Sequence, residues 1–79
     1  CGPCKAMAPQ LDAYARRNAG SVLVAKLDTD ANPATSMRFG IRSIPTLAVF
    51  VGGREAAREV GAVPAARLDA LVARARTGG

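Results

Sequence analysis

At 79 residues, the chain has room for one domain or part of one, and a core of this size is marginal unless a metal, a disulfide or a partner supports it. A hydrophobic fraction of 49% excludes an intrinsically disordered chain, and no apolar run approaches the roughly 18 residues that a membrane-spanning helix needs. The net charge is +5, but the basic residues are scattered and the few aromatic residues do not alternate with them. This pattern favours solvated helix faces over a nucleic-acid surface.

The first third of the chain predicts a helix followed by a strand. Apolar residues recur at helical spacing over residues 4–18, and Pro9 inside this stretch predicts a kink because it lacks an N–H group. Gly20 is expected to end the helix. Residues 22–27 then form an apolar, β-branched run broken only by Lys26. Such a run is typical of a strand that is buried on both faces of a parallel sheet.

The middle of the chain predicts a short helix and a β-hairpin. Asn32, followed by proline, is the expected N-cap of a helix over residues 33–39. Residues 46–51 predict a second buried strand, and Gly52-Gly53 predicts a two-residue hairpin turn. Residues 54–60 follow as an antiparallel strand whose polar character suits the edge of a sheet.

A last helix is predicted to open at Pro64. Its apolar side chains share one stripe at helical spacing, formed by Leu68, Leu71, Val72 and Ala75. The predicted order is helix, strand, helix, hairpin and helix. This order places residues 1–79 in the α/β class, with a mixed sheet flanked by helices.

Cys1 and Cys4 are separated by two residues, a spacing with three common uses. Half of a zinc site is one use, but such a site needs four ligands, and two cysteines without histidine nearly exclude a complete site within this chain. A zinc site shared with another segment or subunit stays open. A static disulfide is the second use, and a redox-active pair at a helix N-terminus is the third. The placement favours the third, because the helix dipole and unpaired N–H groups at the start of the predicted helix stabilise a thiolate.

Two further positions are unusual for their surroundings. Pro45 stands directly before a predicted strand, where proline lacks a ladder donor, so it is either an ordinary loop proline or a cis-proline held for a tertiary reason. Lys26 interrupts an apolar run. It either extends its ammonium group to the solvent or is buried with a partner that the sequence does not reveal.

Taken together, these residues resemble the thioredoxin family. The resemblance covers the whole chain and combines a Cys-Gly-Pro-Cys motif with a distant Ile-Pro-Thr. The matching segments are Cys1-Gly2-Pro3-Cys4-Lys5, Ala8-Pro9, residues 24–28, Asn32-Pro33, residues 39–46, Phe50, Gly53 and residues 60–62.

The resemblance implies roles for individual residues. Cys1 would be the nucleophile and Cys4 the resolving thiol, joined as a redox-active disulfide in the oxidised form. Lys26 would support the second thiol, and no metal or bound cofactor is implied. The family's cis-proline would be Pro45. The apolar surface that receives the substrate backbone would comprise Gly2, Pro3, Ile44, Pro45, Val60, Gly61 and Ala62.

The resemblance also implies that part of the fold is missing. The family fold begins with a strand, a helix and a second strand before the redox motif, and this β-α-β portion carries a buried carboxylate that would lie near Lys26. Residues 1–79 are therefore expected to be a partial thioredoxin domain. Residues 22–27 and 46–51 would flank the absent central strand, roughly 10 Å apart and with unpaired edges.

By the same resemblance, we expect a monomeric cytoplasmic protein that reduces the disulfides of other proteins in cell redox homeostasis. An NADPH-dependent thioredoxin reductase would restore its dithiol, and no nucleic acid or membrane would be a partner. Two alternatives stay open. One is a disulfide oxidase or isomerase of the same fold, and the other is a non-catalytic binding module that uses the surface around Ile44, Val60 and Gly61.

Overall fold

The computed structural model describes residues 2–77, and within that range it contains three helices and one two-stranded sheet. None of the helices in this range is both long enough and apolar enough to cross a bilayer. The elements, in chain order, are α1 (Gly2–Arg17), α2 (Pro33–Arg38), β1 (Thr46–Val51), β2 (Arg54–Val60) and α3 (Ala65–Thr77).

Helix α1 buries one narrow face. Met7 and Tyr14 are seven positions apart, which places them on the same side of the helix, and both are buried while Leu11 between them is partly buried. The helix continues on both sides of Pro9. It ends at Arg17, and the turn that follows contains Gly20 at a φ of +87°, as predicted for a glycine after a helix. The burial of Tyr14 was not part of the predicted face.

Strands β1 and β2 form the predicted hairpin. They pair antiparallel from Thr46 opposite Val60 to Val51 opposite Arg54, with a register shift after Val49. Gly52 and Gly53 both have positive φ, at +60° and +81°. Two central residues of positive φ are what a type I′ turn requires, and this turn follows the natural twist of the strands.

Helix α3 supplies half of the buried core. It begins one residue after the predicted Pro64, and the predicted stripe is confirmed: Leu68, Leu71 and Ala75 are buried, and Val72 is partly buried. Leu68 packs with Met7 and Tyr14 of α1. On the adjoining turns of α3, Leu71 and Ala75 pack with Ala57 of β2, so the same helix holds α1 and the hairpin.

The prediction of a buried strand at residues 22–27 is wrong. Residues 22–28 have no regular secondary structure, and Leu23 is 93% exposed. Correspondingly, the sheet within residues 2–77 is antiparallel rather than mixed, since β1 pairs only with β2. A strand forms only where a neighbour accepts and donates its backbone hydrogen bonds. Residues 22–27 and β1 do not pair with each other.

Asn32 occupies the predicted N-cap position of α2, directly before Pro33. Its side chain makes no capping hydrogen bond to α2, and its Nδ2 instead donates to the Asp28 carbonyl at 2.9 Å. Asp28 Oδ1 in turn accepts hydrogen bonds from the backbone N–H groups of Asp30 and Ala31, at 2.9 and 3.2 Å. The polar turn before α2 is thus built by Asp28, and α2 ends at Arg38 ahead of Gly40.

The contribution of the α1–α3 contact is testable by truncation. Leu68→Ala should lower the free energy of unfolding by about 2–5 kcal/mol, because it removes a buried side chain and leaves a cavity. Leu23→Ala is the matched control: it deletes the same atoms from a side chain that is 93% exposed and should change little. Urea unfolding followed by circular dichroism measures both, and equal losses would contradict the assigned core.

Candidate functional site

The first turn of α1 carries the last three residues of the Cys-Gly-Pro-Cys motif. Gly2 and Pro3 are exposed and Cys4 is partly buried, and this turn contains no acidic residue. The first N–H groups of a helix have no partner within it, and together with the dipole they favour negative charge. A thiolate near this end is therefore stabilised without competition from a carboxylate. Cys1 lies outside the described residues, so its pairing with Cys4 stays a prediction.

The second part of the site is the entrance to the hairpin. The Ile44–Pro45 peptide bond is cis, and the Pro45 carbonyl accepts a hydrogen bond from the Gly61 N–H at 2.8 Å. Gly61 has a φ of +104°, a conformation that side chains disfavour. This bond brings the two segments of the predicted substrate surface together.

The surface formed there is apolar and open to solvent. Ile44 is 48% exposed and Val60 is 59% exposed, while Ala62 is also exposed. Large apolar side chains with this exposure often mark interaction surfaces. The structure therefore places the predicted residues 44–45 and 60–62 side by side at one end of the hairpin.

A cleft connects the two parts of the site. Cys4, Ile44 and Pro45 all line an open cavity of about 940 Å³, which extends between residues 21–27 and strand β1. We call this cavity the central cleft. Its lining is mostly apolar side chains, and it brings the second cysteine into the same cavity as the residues that enter β1. Gly2 and Pro3 are not part of its lining, and neither are residues 60–62.

Lys26 also lines the central cleft, but it is not buried. Its Nζ donates a hydrogen bond to Asp12 Oδ1 at 3.1 Å, and the two side chains are 56% and 53% exposed. Ion pairs of this exposure contribute about 0–1 kcal/mol to stability. Of the two interpretations of Lys26, the structure shows the solvent-exposed one. Asp12 was not predicted as the partner of Lys26. The sequence indicated only that Asp12 lies on the polar face of α1.

A second ion pair, also missed by the sequence interpretation, lies where the end of α2 meets the hairpin. The Arg58 guanidinium forms a bidentate ion pair with the Glu55 carboxylate. Nη2 of Arg58 donates to Oε1 of Glu55 at 2.6 Å, and Nε donates to Oε2 at 2.9 Å. Nη2 also donates to the Phe39 carbonyl at 2.7 Å. The Phe39 ring meets Phe50 edge to face, with centroids 5.6 Å apart. These contacts attach the end of α2 to the hairpin.

The same ion pair shifts the pKa of both Glu55 and Arg58. The side-chain hydrogen bond from Arg58, assisted by its charge, lowers the pKa of Glu55 below its ordinary value, while the hydrogen bond to Glu55 raises the pKa of Arg58. Planar guanidinium and carboxylate groups match geometrically in this arrangement, which is why the bidentate form is stronger than a single contact.

Comparison with known proteins identifies the family. The thioredoxin family profile matches residues 1–74 of the chain. A thioredoxin of Alicyclobacillus acidocaldarius is 49% identical over 73 residues, which is 92% of this chain and 70% of that protein. A thioredoxin of Synechocystis is 52% identical over 64 residues, covering 81% of this chain and 60% of that protein. The chain belongs to the thioredoxin family.

The structural comparison agrees with the fold. The crystal structure of Deadhead, a germline-specific thioredoxin of Drosophila melanogaster, superposes with a TM-score of 0.85 at 31% identity. The superposition covers 94% of this chain and 70% of Deadhead. The α/β class and the thioredoxin-like arrangement of the helices and hairpin are thereby confirmed. The matched region spans between 60% and 70% of the length of these relatives.

The lowered pKa of Glu55 predicts a pH-dependent contribution to stability. A carboxyl group whose pKa is lower in the folded state stabilises the fold at pH values above its unfolded pKa, and this contribution is lost as the pH falls through the folded pKa. Glu55→Gln should therefore lower the urea midpoint at pH 7, and the difference from the wild type should shrink well below pH 4.5, the ordinary value for Glu55.

Asp30→Asn is the matched control for this measurement. Asp30 is exposed, and its carboxylate forms no salt bridge with any residue of the range 2–77. This variant should differ little from the wild type at either pH. A Glu55→Gln effect that stayed constant from pH 7 to pH 3 would contradict the charged pair with Arg58.

Proposed function

We propose that the chain is the redox portion of a thiol–disulfide oxidoreductase that reduces disulfides in other proteins. The observation that carries this proposal is the position of Gly2, Pro3 and Cys4 of the motif in the first turn of α1, with Cys4 in the same cleft as Ile44 and Pro45. The chain's place in the thioredoxin family supports the same chemistry.

The reaction proceeds in two exchanges. The Cys1 thiolate attacks one sulfur of the substrate disulfide, forming a mixed disulfide and releasing the other substrate sulfur as a thiolate. Cys4 then loses its proton and attacks Cys1, which releases the second substrate sulfur and leaves a Cys1–Cys4 disulfide. The substrate gains two electrons and the dithiol loses two. An NADPH-dependent thioredoxin reductase is the proposed source of the electrons that restore the dithiol.

Residues around the sulfurs have two further proposed roles, which are to stabilise the thiolate and to contact the substrate. The positive end of α1 favours ionised sulfur at the motif. Lys26 lines the same cleft as Cys4, with its charge paired to Asp12. The exposed apolar surface of Ile44 and Val60, with the backbone of residues 60–62, is the proposed contact for the substrate chain. The proposed setting is a reducing cytoplasm, in which a dithiol of this kind persists.

The roles of the two cysteines are separable by substitution. With dithiothreitol as reductant, Cys1→Ser should abolish catalysed reduction of insulin disulfides, because no nucleophile remains. Cys4→Ser should also lose turnover, but it should accumulate a mixed disulfide through Cys1 that mass spectrometry detects. Ala6→Ser, an exposed change in the same part of α1, is the control and should keep activity. Reduction that survives Cys1→Ser would contradict the chemistry and favour a binding module.

The ionisation of the first sulfur is testable by alkylation. In the reduced Cys4→Ser variant, Cys1 should react with iodoacetamide at pH 7 several-fold faster than the cysteine of the peptide Cys-Gly-Pro-Ser-Lys. The peptide has the same neighbouring residues but no helix, so the comparison isolates the effect of α1 on the thiolate population. Equal alkylation rates for the variant and the peptide would show that α1 does not raise the thiolate population of Cys1.

A further inference from the structure

The apolar surface formed by residues 44–45 and 60–62 has an unpaired cation on its border. Arg42 is exposed and lies two residues before Ile44, so their Cα atoms are at most about 7 Å apart. Within residues 2–77 the Arg42 guanidinium forms no ion pair. Its charge is therefore available to a molecule that contacts Ile44.

Hydrogen bonds hold the backbone on both sides of Arg42. The Ile41 N–H donates to the Ser36 carbonyl at 2.9 Å. The Thr46 Oγ1 hydroxyl donates to the Ser43 carbonyl at 2.6 Å. The guanidinium thus extends from a backbone position that is tied to α2 on one side and to β1 on the other. Binding loses less conformational entropy when the contacting group stands on a segment that is already ordered.

The carboxylate that adjoins this surface on β2 is already neutralised. Glu59 directly precedes Val60, and its two oxygens accept hydrogen bonds from Arg67 Nη2 at 2.8 Å and from Arg67 Nε at 3.3 Å. The Arg67 side chain is 54% exposed, whereas that of Glu59 is 20% exposed. A molecule that approaches this pair therefore meets the guanidinium rather than the carboxylate.

The other carboxylates of the described range lie outside the segments 41–46 and 59–64. They belong to Asp12, Asp28, Asp30, Glu55 and Asp69. On the cysteine side, Lys5 directly follows Cys4, is exposed, and forms no ion pair with any residue that the structure describes. The unpaired charges next to both parts of the candidate site are therefore positive.

We propose that Arg42 is a specificity-determining residue, and that the surface beside it binds protein disulfides flanked by acidic side chains. This inference rests on the proposed reductase function and names its substrate class. A glutamate or aspartate a few residues from the substrate sulfur pairs with the Arg42 guanidinium while the substrate backbone lies on the apolar surface. Complementary charges of this kind act chiefly on the association rate, and salt screens them.

Three cyclic peptide disulfides test the substrate class. Each has the core Cys-Ser-Gly-Gly-Cys, and both flanks are Glu-Ala-Glu, Gln-Ala-Gln or Lys-Ala-Lys. With the full chain as catalyst and dithiothreitol as reductant, kcat/KM should fall from the acidic to the neutral to the basic peptide. The first and last should differ about tenfold at about 0.01 M salt, where charges act over about 30 Å. At about 1 M salt, where that length is about 3 Å, the three values should converge.

Two matched variants separate a local contact from the effect of net charge. Arg42→Ala and Arg54→Ala each remove one exposed guanidinium that forms no ion pair within residues 2–77. Arg54 begins β2 and Val60 ends it, so Arg54 lies about 20 Å along the strand from the proposed surface.

Arg42→Ala should lower the acidic-to-basic ratio of kcat/KM about threefold, as loss of an exposed ion pair predicts. Arg54→Ala should leave that ratio nearly unchanged. Arg42→Lys should restore most of the preference, because the proposal requires a positive charge at this position. A merely structural role of Arg42 would change the reduction of all three peptides equally.

A binding assay keeps this inference distinguishable from the proposed function. The redox-inert variant with both Cys1→Ser and Cys4→Ser should bind the fluorescein-labelled acidic peptide more tightly than the basic one, as measured by fluorescence anisotropy. A lack of preference for the acidic peptide in both assays, or equal responses of Arg42→Ala and Arg54→Ala, would overturn the substrate class even if the wild type reduces every peptide. Selective binding without reduction by the wild type would leave the acidic-partner surface standing and would reject only the reductase function.

Discussion

The packing of α3 against both α1 and the hairpin is the contact on which this structure depends. Leu68 meets Met7 and Tyr14 of α1, and Leu71 and Ala75, one and two turns later, meet Ala57 of β2. At the backbone level α1 touches α3 but not the hairpin, within the part of the chain described. Cys4 and Pro45 therefore share a cleft because one helix holds their two elements in place. With so small a core, each of these side chains represents a large share of the total stability.

Elements whose causes are local were predictable from the sequence. The Gly52-Gly53 turn and the apolar stripe of α3 each follow from residues that are adjacent or one helical turn apart. The absence of a strand at residues 22–27 could not be predicted in this way. A run of apolar β-branched residues indicates that a strand would be buried, but it does not show that a neighbouring strand is available to pair with it. The same sequence that suits the centre of a sheet leaves Leu23 exposed here.

The candidate site likewise combines features that the sequence predicts with contacts that it does not predict. The cysteine spacing at a helix start and the proline before β1 identified two of its parts from sequence. Polar contacts across long stretches of chain were missed: Arg58 reaches the Phe39 carbonyl nineteen positions earlier, and Lys26 finds Asp12 fourteen positions earlier. Nothing in the spacing of charged residues selects these partners, since they are chosen by how α2, β2 and α1 are brought together.

The bridging position of α3 has a consequence for biosynthesis. Among the described elements, α1 with the cysteine motif is translated before the others, whereas α3, which fastens it to the hairpin, is translated last. While the nascent chain emerges, Met7 and Tyr14 have no Leu68 to cover them, and α1 alone is close to the length at which isolated helices are only marginal in water. The cleft that joins Cys4 to Pro45 is thus assembled late, after synthesis of nearly all the described chain. Until then the chain contains the cysteine motif, but the cleft beside it has not formed.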